Sequence, residues 1–115
     1  MKNFLSTNEQ LCKNQCLMSL NRRYKAIFQC DGNFVVYDCA CCPNKAVWAS
    51  GTNGSDAVRV IMQADGNLVI YNQCNQARWS SGTYIAGSCN VCRLEMTDCG
   101  KLVLTRNCQQ VWCSC

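Results

Sequence analysis

The sequence of 115 residues, with 49% hydrophobic and 16% charged residues and a single proline, suits one folded domain and excludes a disordered or collagen-like chain. Its formal charge of +4 comes from eleven basic and seven acidic residues spread along the chain, with only Arg22, Arg23 and Lys25 bunched. That pattern leaves no nucleic-acid footprint. The absence of histidine removes the commonest general base and metal ligand, so no enzyme, catalytic residue, metal or cofactor is assigned.

The N-terminal stretch from Met1 to Glu9 lacks the roughly seven apolar residues of a signal-peptide core. An exported chain would therefore have lost its leader before this numbering or would leave by another route. No apolar run approaches the ~20 residues of a membrane-spanning helix, so no membrane span is expected. Thirteen cysteines in so short a chain imply a disulfide scaffold and a secreted or extracellular setting. Because thirteen is odd, at least one thiol stays free or bonds another chain, and a homodimer or disulfide-linked oligomer is the expected assembly. Spacing does not fix the pairing.

From Gln29 onward the chain repeats. Gln29-Cys30-Asp31-Gly32-Asn33-Phe34-Val35-Val36-Tyr37 returns thirty-four residues later as Gln63-Ala64-Asp65-Gly66-Asn67-Leu68-Val69-Ile70-Tyr71. The same frame then holds Thr97-Asp98-Cys99-Gly100-Lys101-Leu102-Val103-Leu104-Thr105, which keeps the apolar skeleton and loses the polar set. Lys25, Arg59 and Arg93 stand four residues before each copy, and Trp48, Trp79 and Trp112 follow the copies in turn. Within each unit the period is two, rich in Val, Ile, Leu and Tyr and broken by Asn, Asp and Gly, so short strands joined by tight turns are predicted. Phe34, Val36, Leu68, Ile70, Leu102 and Leu104 are the predicted core face; Gln29, Asp31, Asn33, Val35 and Tyr37 point the other way.

The predicted architecture is all-β, one domain over 1–115, with three antiparallel sheets around a pseudo-threefold axis and the three indoles packed near it as core. The repeats run roughly 22–55, 56–90 and 91–115. The last is short, so residues 1–21, around Leu11 to Leu20, are expected to complete its sheet; a partner's strand would do the same and make a dimer.

The outward face of each intact copy displays two amides, a carboxylate, a small branched apolar side chain and a phenol. Vicinal sugar hydroxyls donate and accept at once, which suits a carboxylate beside amides. A strand spaces alternate side chains by about 6.6 Å, so neighbouring groups converge on one small ring, and no metal is needed. Asp-Gly-Asn is also ordinary turn chemistry. Turns alone do not explain why two copies also keep Gln and Tyr while the third relaxes all four.

Gln-x-Asp-x-Asn-x-Val-x-Tyr, twice intact and followed by Trp-x-Ser-Gly-Thr, resembles the bulb-type mannose-binding lectins of monocots and the lily-type lectins of fish skin mucus, over about Phe4 to Trp112. The resemblance implies a β-prism II fold that binds α-mannose without calcium. By it, Asp31 and Asn33 would hold the axial 2-hydroxyl, Gln29 the 3-hydroxyl, Tyr37 the 4-hydroxyl and Val35 the ring carbons. Gln63, Asp65, Asn67, Val69 and Tyr71 would do the same at a second site. Thr97, Cys99, Lys101 and Thr105 depart from the pattern and leave only Val103, so the third face is not expected to bind mannose. The disulfide common in the family would fall at Gly32 and Val58 here, and is therefore absent.

Cys39, Cys41, Cys42, Cys74 and Cys108 fall in the polar stretches after the motif strands, where hairpin tips would offer them to another chain or to local stapling. Cys89 and Cys92, with Cys113 and Cys115, have spacings seen in zinc sites, but extracellular disulfides explain them without a metal. Asn53-Gly54-Ser55 is an N-glycosylation sequon in an expected loop. Lys25, Arg59 and Arg93 are either a solvated strand face or the rims of the pockets. Two functions follow: a lectin that binds and cross-links mannose-containing glycans in surface or mucosal defence, or a disulfide-linked structural protein of a mucus or matrix built on the same fold.

Overall fold

A computed structural model describes residues 2–84 and 91–114. Their regular structure is entirely β. Three short strands come first, β1 (Phe4–Ser6), β2 (Gln10–Cys12) and β3 (Cys16–Met18). The first repeat follows as β4 (Tyr24–Phe28), β5 (Phe34–Asp38) and β6 (Lys45–Ala49), the second as β7 (Ala57–Met62), β8 (Leu68–Asn72) and β9 (Ala77–Ser80). The third comprises β10 (Cys92–Met96), β11 (Leu102–Arg106) and β12 (Gln109–Cys113).

Each repeat forms a three-stranded antiparallel meander, and each meander gains a fourth strand from the N-terminal segment. The sheet orders are β3-β4-β5-β6, β2-β7-β8-β9 and β1-β10-β11-β12. The expectation that residues 11–20 complete the third sheet is corrected here. Residues 4–6 do so, with Leu5 opposite Leu94, while β2 and β3 go to the second and first sheets. The reason is geometric: three edges need covering, and a segment crossing the base of a prism passes each in turn. All three sheets are thereby four-stranded within one chain, without a partner's strand.

The period-two reading of the core holds. Phe34, Val36, Leu68, Ile70, Leu102 and Leu104 are all 0% exposed and meet in one cluster with Leu5, Leu11 and Leu17. Trp48, Trp79 and Trp112 close the axis as a ring of edge-to-face contacts, each pair of centroids 5.7 Å apart with interplanar angles of 73–76°. That near-equality is the pseudo-threefold symmetry in its most direct form, and edge-to-face pairing suits the opposite charge of ring edge and face.

Two local devices repeat with the sheets. The pairing slips opposite Val36/Tyr37, Ile70/Tyr71 and Leu104/Thr105, where the last strand of each meander carries one extra residue, Val47, Arg78 and Val111, so each sheet is bulged at the same point. Because the third sheet has the bulge without a tyrosine, the irregularity belongs to the fold. The turn entering each middle strand needs glycine: Gly32 and Gly100 both sit at φ +87°, and a Cβ on Gly32 would come within 3.2 Å of the carbonyl oxygens of Thr52 and Ser55.

Candidate functional site

The first candidate site is built at the β4–β5 turn. Gln29 closes the turn by donating its backbone N–H to the Asn33 carbonyl at 2.8 Å, and Gly32 donates back to the Gln29 carbonyl at 3.0 Å. Asp31 Oδ1 accepts the Asn33 backbone N–H at 3.0 Å, which fixes the carboxylate at the mouth of the turn. Gln29 Nε2 donates to the Tyr37 hydroxyl, joining the first and last members of the motif across the strand.

Asn33 is held from the opposite side. Its Oδ1 accepts Ser50 Oγ at 3.0 Å, Gly51 N–H at 3.1 Å and Thr52 N–H at 3.2 Å. Thr52 Oγ1 then donates to the Gly32 carbonyl at 2.6 Å, clasping the loop after β6 onto the turn. An amide oxygen saturated in this way fixes the plane of the group, so Asn33 Nδ2 is the end left to donate outward, beside Asp31 Oδ2 as acceptor.

The second site reproduces this arrangement between β7 and β8. Asp65 Oδ1 accepts Asn67 N–H at 3.0 Å, Asn67 Oδ1 accepts Ser81 Oγ at 3.0 Å and Thr83 N–H at 3.3 Å, and Thr83 Oγ1 donates to the Gly66 carbonyl at 2.6 Å. In the amide orientation that satisfies both neighbours, Gln63 accepts from the Tyr71 hydroxyl and donates to both Asp65 carboxylate oxygens at 3.2 Å. Gln, Asp, Asn and Tyr are thus brought together twice. Val35 and Val69 lie with them but are 3% exposed, so the apolar surface they offer a ring is narrow.

The third frame holds no comparable group. Thr97 Oγ1 donates to the Lys101 carbonyl at 2.8 Å and accepts its N–H at 3.2 Å, while the Cys99 and Lys101 side chains stand exposed. Ser114 still accepts the Leu102 N–H at 2.9 Å, as Ser50 and Ser81 do for Phe34 and Leu68. The serine is therefore a strand clip common to all three sheets, whereas the asparagine–threonine clasp occurs only where the polar motif is intact. Sequence reasoning noticed the Ser-Gly-Thr sequence without giving it this role; its restriction to two of three repeats was the available signal.

Charge around the two sites differs. Lys25 faces Tyr37 across the strands and Arg59 faces Tyr71. Arg59 lies over the Tyr71 ring at 5.4 Å and bonds Gln10 Oε1 at 3.0 Å, which makes it a rim of the second site. Arg93 instead covers Phe4 at 4.3 Å, on the sheet without a motif.

The hairpin tips also match expectation in place. Cys39, Cys41 and Cys42 follow β5, Cys74 follows β8 and Cys108 follows β11, all as free thiols. Cys89 and Cys115 lie outside the described residues. Among the described residues no three His, Cys, Asp or Glu side chains gather as a metal site would require, and no helix is long and apolar enough to cross a membrane.

No protein-family model matches the chain. It is 49% identical over 110 residues to the B-type lectin plumieribetin of Scorpaena plumieri, covering 96% of this chain and 92% of that protein. A monomeric monocot mannose-binding lectin from Gastrodia elata superposes with a TM-score of 0.85 at 34% identity, over 98% of this chain and 96% of that one. The mannose-specific agglutinin of snowdrop, Galanthus nivalis, solved with methyl-α-D-mannoside, superposes at 0.75 and 30% identity, over 90% and 89% of the two chains.

Proposed function

The chain belongs to the B-type lectin family, a carbohydrate-binding protein with a β-prism II fold and not an enzyme, and from that premise we propose that it binds α-mannose at two calcium-independent sites. The observation that carries the proposal is the doubled cluster of Gln29, Asp31, Asn33 and Tyr37 with Gln63, Asp65, Asn67 and Tyr71, each asparagine clasped by its own oxygen. Asp31 Oδ2 accepts from the axial 2-hydroxyl while Asn33 Nδ2 donates to it, Gln29 takes the 3-hydroxyl, Tyr37 the 4-hydroxyl, and Val35 meets the ring carbons. The second cluster repeats these roles. A neutral sugar needs no counter-ion, and each hydroxyl finds both a donor and an acceptor from the side chains alone. Two shallow sites per chain give useful strength when one chain engages two glycans, or when chains associate, so the protein acts by cross-linking mannose-bearing surfaces outside the cell, in surface or mucosal defence.

Asp31→Ala with Asp65→Ala is expected to abolish retention on mannose-agarose while leaving the far-ultraviolet circular dichroism unchanged. Wild-type retention is expected to persist in excess chelator. Retention by the double variant would overturn the assignment of the sites, and loss of wild-type retention in chelator would overturn calcium independence.

A second reading is favoured by the free thiols at corresponding hairpin tips of all three sheets, Cys39, Cys41 and Cys42, Cys74, and Cys108. In an oxidising setting these suit a disulfide-linked mucus or matrix protein. A ladder on non-reducing electrophoresis that collapses to monomer on reduction supports it, and a monomer under both conditions excludes it.

A further inference from the structure

The sequon Asn53-Gly54-Ser55 lies in the loop that clasps the first site, and the second site has no counterpart: the position after Thr83 is Tyr84. The loop is pinned on either side of Asn53. Thr52, 7% exposed, donates to the Gly32 carbonyl at 2.6 Å, and Gly54 N–H donates to the Asp31 carbonyl at 2.8 Å. Gly32 and Asp31 belong to the sugar-binding turn itself, so Asn53 sits between two residues that touch it. Asn53 is exposed, its side chain makes no hydrogen bond within the described chain, and nothing lies within 4 Å of where a side chain on Gly54 would begin. A bulky substituent on Asn53 therefore meets solvent, at the rim of the first site.

We propose that Asn53 is an N-glycan acceptor whose glycan screens the first site, leaving the second as the open one; the screening half rests on the mannose-binding reading above. In the transfer, Asn53 Nδ2 forms a bond to the anomeric carbon of a lipid-linked oligosaccharide diphosphate. The bond from that carbon to the diphosphate oxygen breaks, the lipid diphosphate leaves with the electron pair, and the amide gives up one proton to the transferase. A branched, hydrated oligosaccharide anchored next to the Asp31 turn then competes for space with any incoming glycan, while Gln63, Asp65, Asn67 and Tyr71 stay uncovered. The two sites, alike in their polar groups, become unequal in access.

The test uses the full chain secreted from glycosylating eukaryotic cells. The Asp65→Ala chain, which keeps only the first site, is compared with the same chain also carrying Asn53→Gln. The Asn53 chain is expected to migrate more slowly and to collapse to the Asn53→Gln position after N-glycosidase treatment. It is also expected to be retained on mannose-agarose less than the Asn53→Gln chain, because a steric obstruction opposes binding without altering the contacts of the site. An Asp31→Ala chain, which keeps only the second site, is expected to bind equally with and without the glycan. An unshifted band overturns the acceptor assignment, and equal retention of the glycosylated and Asn53→Gln chains overturns the screening. Failure of the Asn53→Gln, Asp65→Ala chain to bind overturns the mannose-binding reading at the first site, and the screening with it, while the band shift still decides the acceptor.

Discussion

Asn33 does two jobs with the two ends of one amide. Its oxygen gathers Ser50 Oγ and the N–H groups of Gly51 and Thr52, and its nitrogen is left for the ligand. The two ends are separable by substitution. Asn33→Asp keeps an oxygen acceptor and loses the outward donor, so the melting temperature is expected to hold while affinity at the first site falls about 10-fold, the loss of one neutral hydrogen bond to the sugar. Asn33→Ala removes both ends and leaves the Gly51 and Thr52 N–H groups without their acceptor, while Ser50 Oγ keeps Thr52 Oγ1, costing about 1–3 kcal/mol of stability as well as binding. Calorimetric unfolding beside mannose titration of chains carrying Asp65→Ala distinguishes the two; equal stability of both variants would show that the clasp is not held by the amide oxygen. The residues of this cluster were legible in the sequence because they recur every thirty-four positions on one strand face. The direction of the amide was not, because it is set by a loop seventeen to nineteen residues further on, and adjacency through a β6 hairpin leaves no mark in the local pattern. The 3% exposure of Val35 and Val69 was hidden for the same reason: alternation gives the face a side chain occupies, not what lies over it.

Among the elements, the N-terminal strands are the ones whose separate destinations the sequence did not show: β1 completes the third sheet, within the 1–21 expected to do so, while β2 and β3 go to the other two. Each is three residues long, too short to display alternation, and their signal is instead a period of six. Leu5, Leu11 and Leu17 are the buried centres, at 2%, 6% and 1% exposure. Asn8 and Asn14 turn the chain at φ +67° and +70°, and Glu9 and Gln15 each accept the backbone N–H three residues back. A hexad of Leu, Asn and Glu or Gln was thus present in the sequence, under a period nobody would seek in a thirty-four-residue repeat. The meanders, by contrast, were legible strand by strand, since five-residue strands with core on alternate positions carry their own periodicity. Because each hexad leucine plugs the base of a different sheet, Leu11→Ala is expected to cost about 2–5 kcal/mol, as truncations that leave a core cavity do. Denaturant unfolding measures it; a change below ~1 kcal/mol would mean that β2 is a decoration on the second sheet and not part of its core.

At the scale of the whole molecule, charge and connectivity set the limits. The hairpins of the first two sheets are braced by Arg23 on Asp38, at 3.1 Å for both bonds, and by Arg78 on Asp56 at 2.6 and 3.1 Å. In each pair the guanidinium hydrogen bonds hold the carboxyl below its ordinary pKa, with Ala40 N–H assisting at Asp38 and the Asn72 amide at Asp56. A depressed carboxyl favours the folded state above the ordinary carboxylate range, and that contribution disappears as pH falls through the folded value. The melting temperature is therefore expected to be flat near neutrality and to drop below pH ~4. Arg23→Gln combined with Arg78→Gln is expected to shrink the drop by lowering the melting temperature at pH 7 while leaving the acid end unchanged, with Asp38, 7% exposed, contributing more of the loss than the open Asp56–Arg78 pair. Identical acid profiles for the two chains would assign the drop to other groups. Connectivity acts on a different axis, that of time. β1 pairs with β10, which lies some eighty-five positions downstream, where Thr7 also meets the backbone of Cys92. At ~5–20 residues per second, Leu5 waits on the order of ten seconds of synthesis for the strand it must pair with. Throughout that interval Leu5 has no strand to pair with, so the third sheet closes only after β10 has emerged.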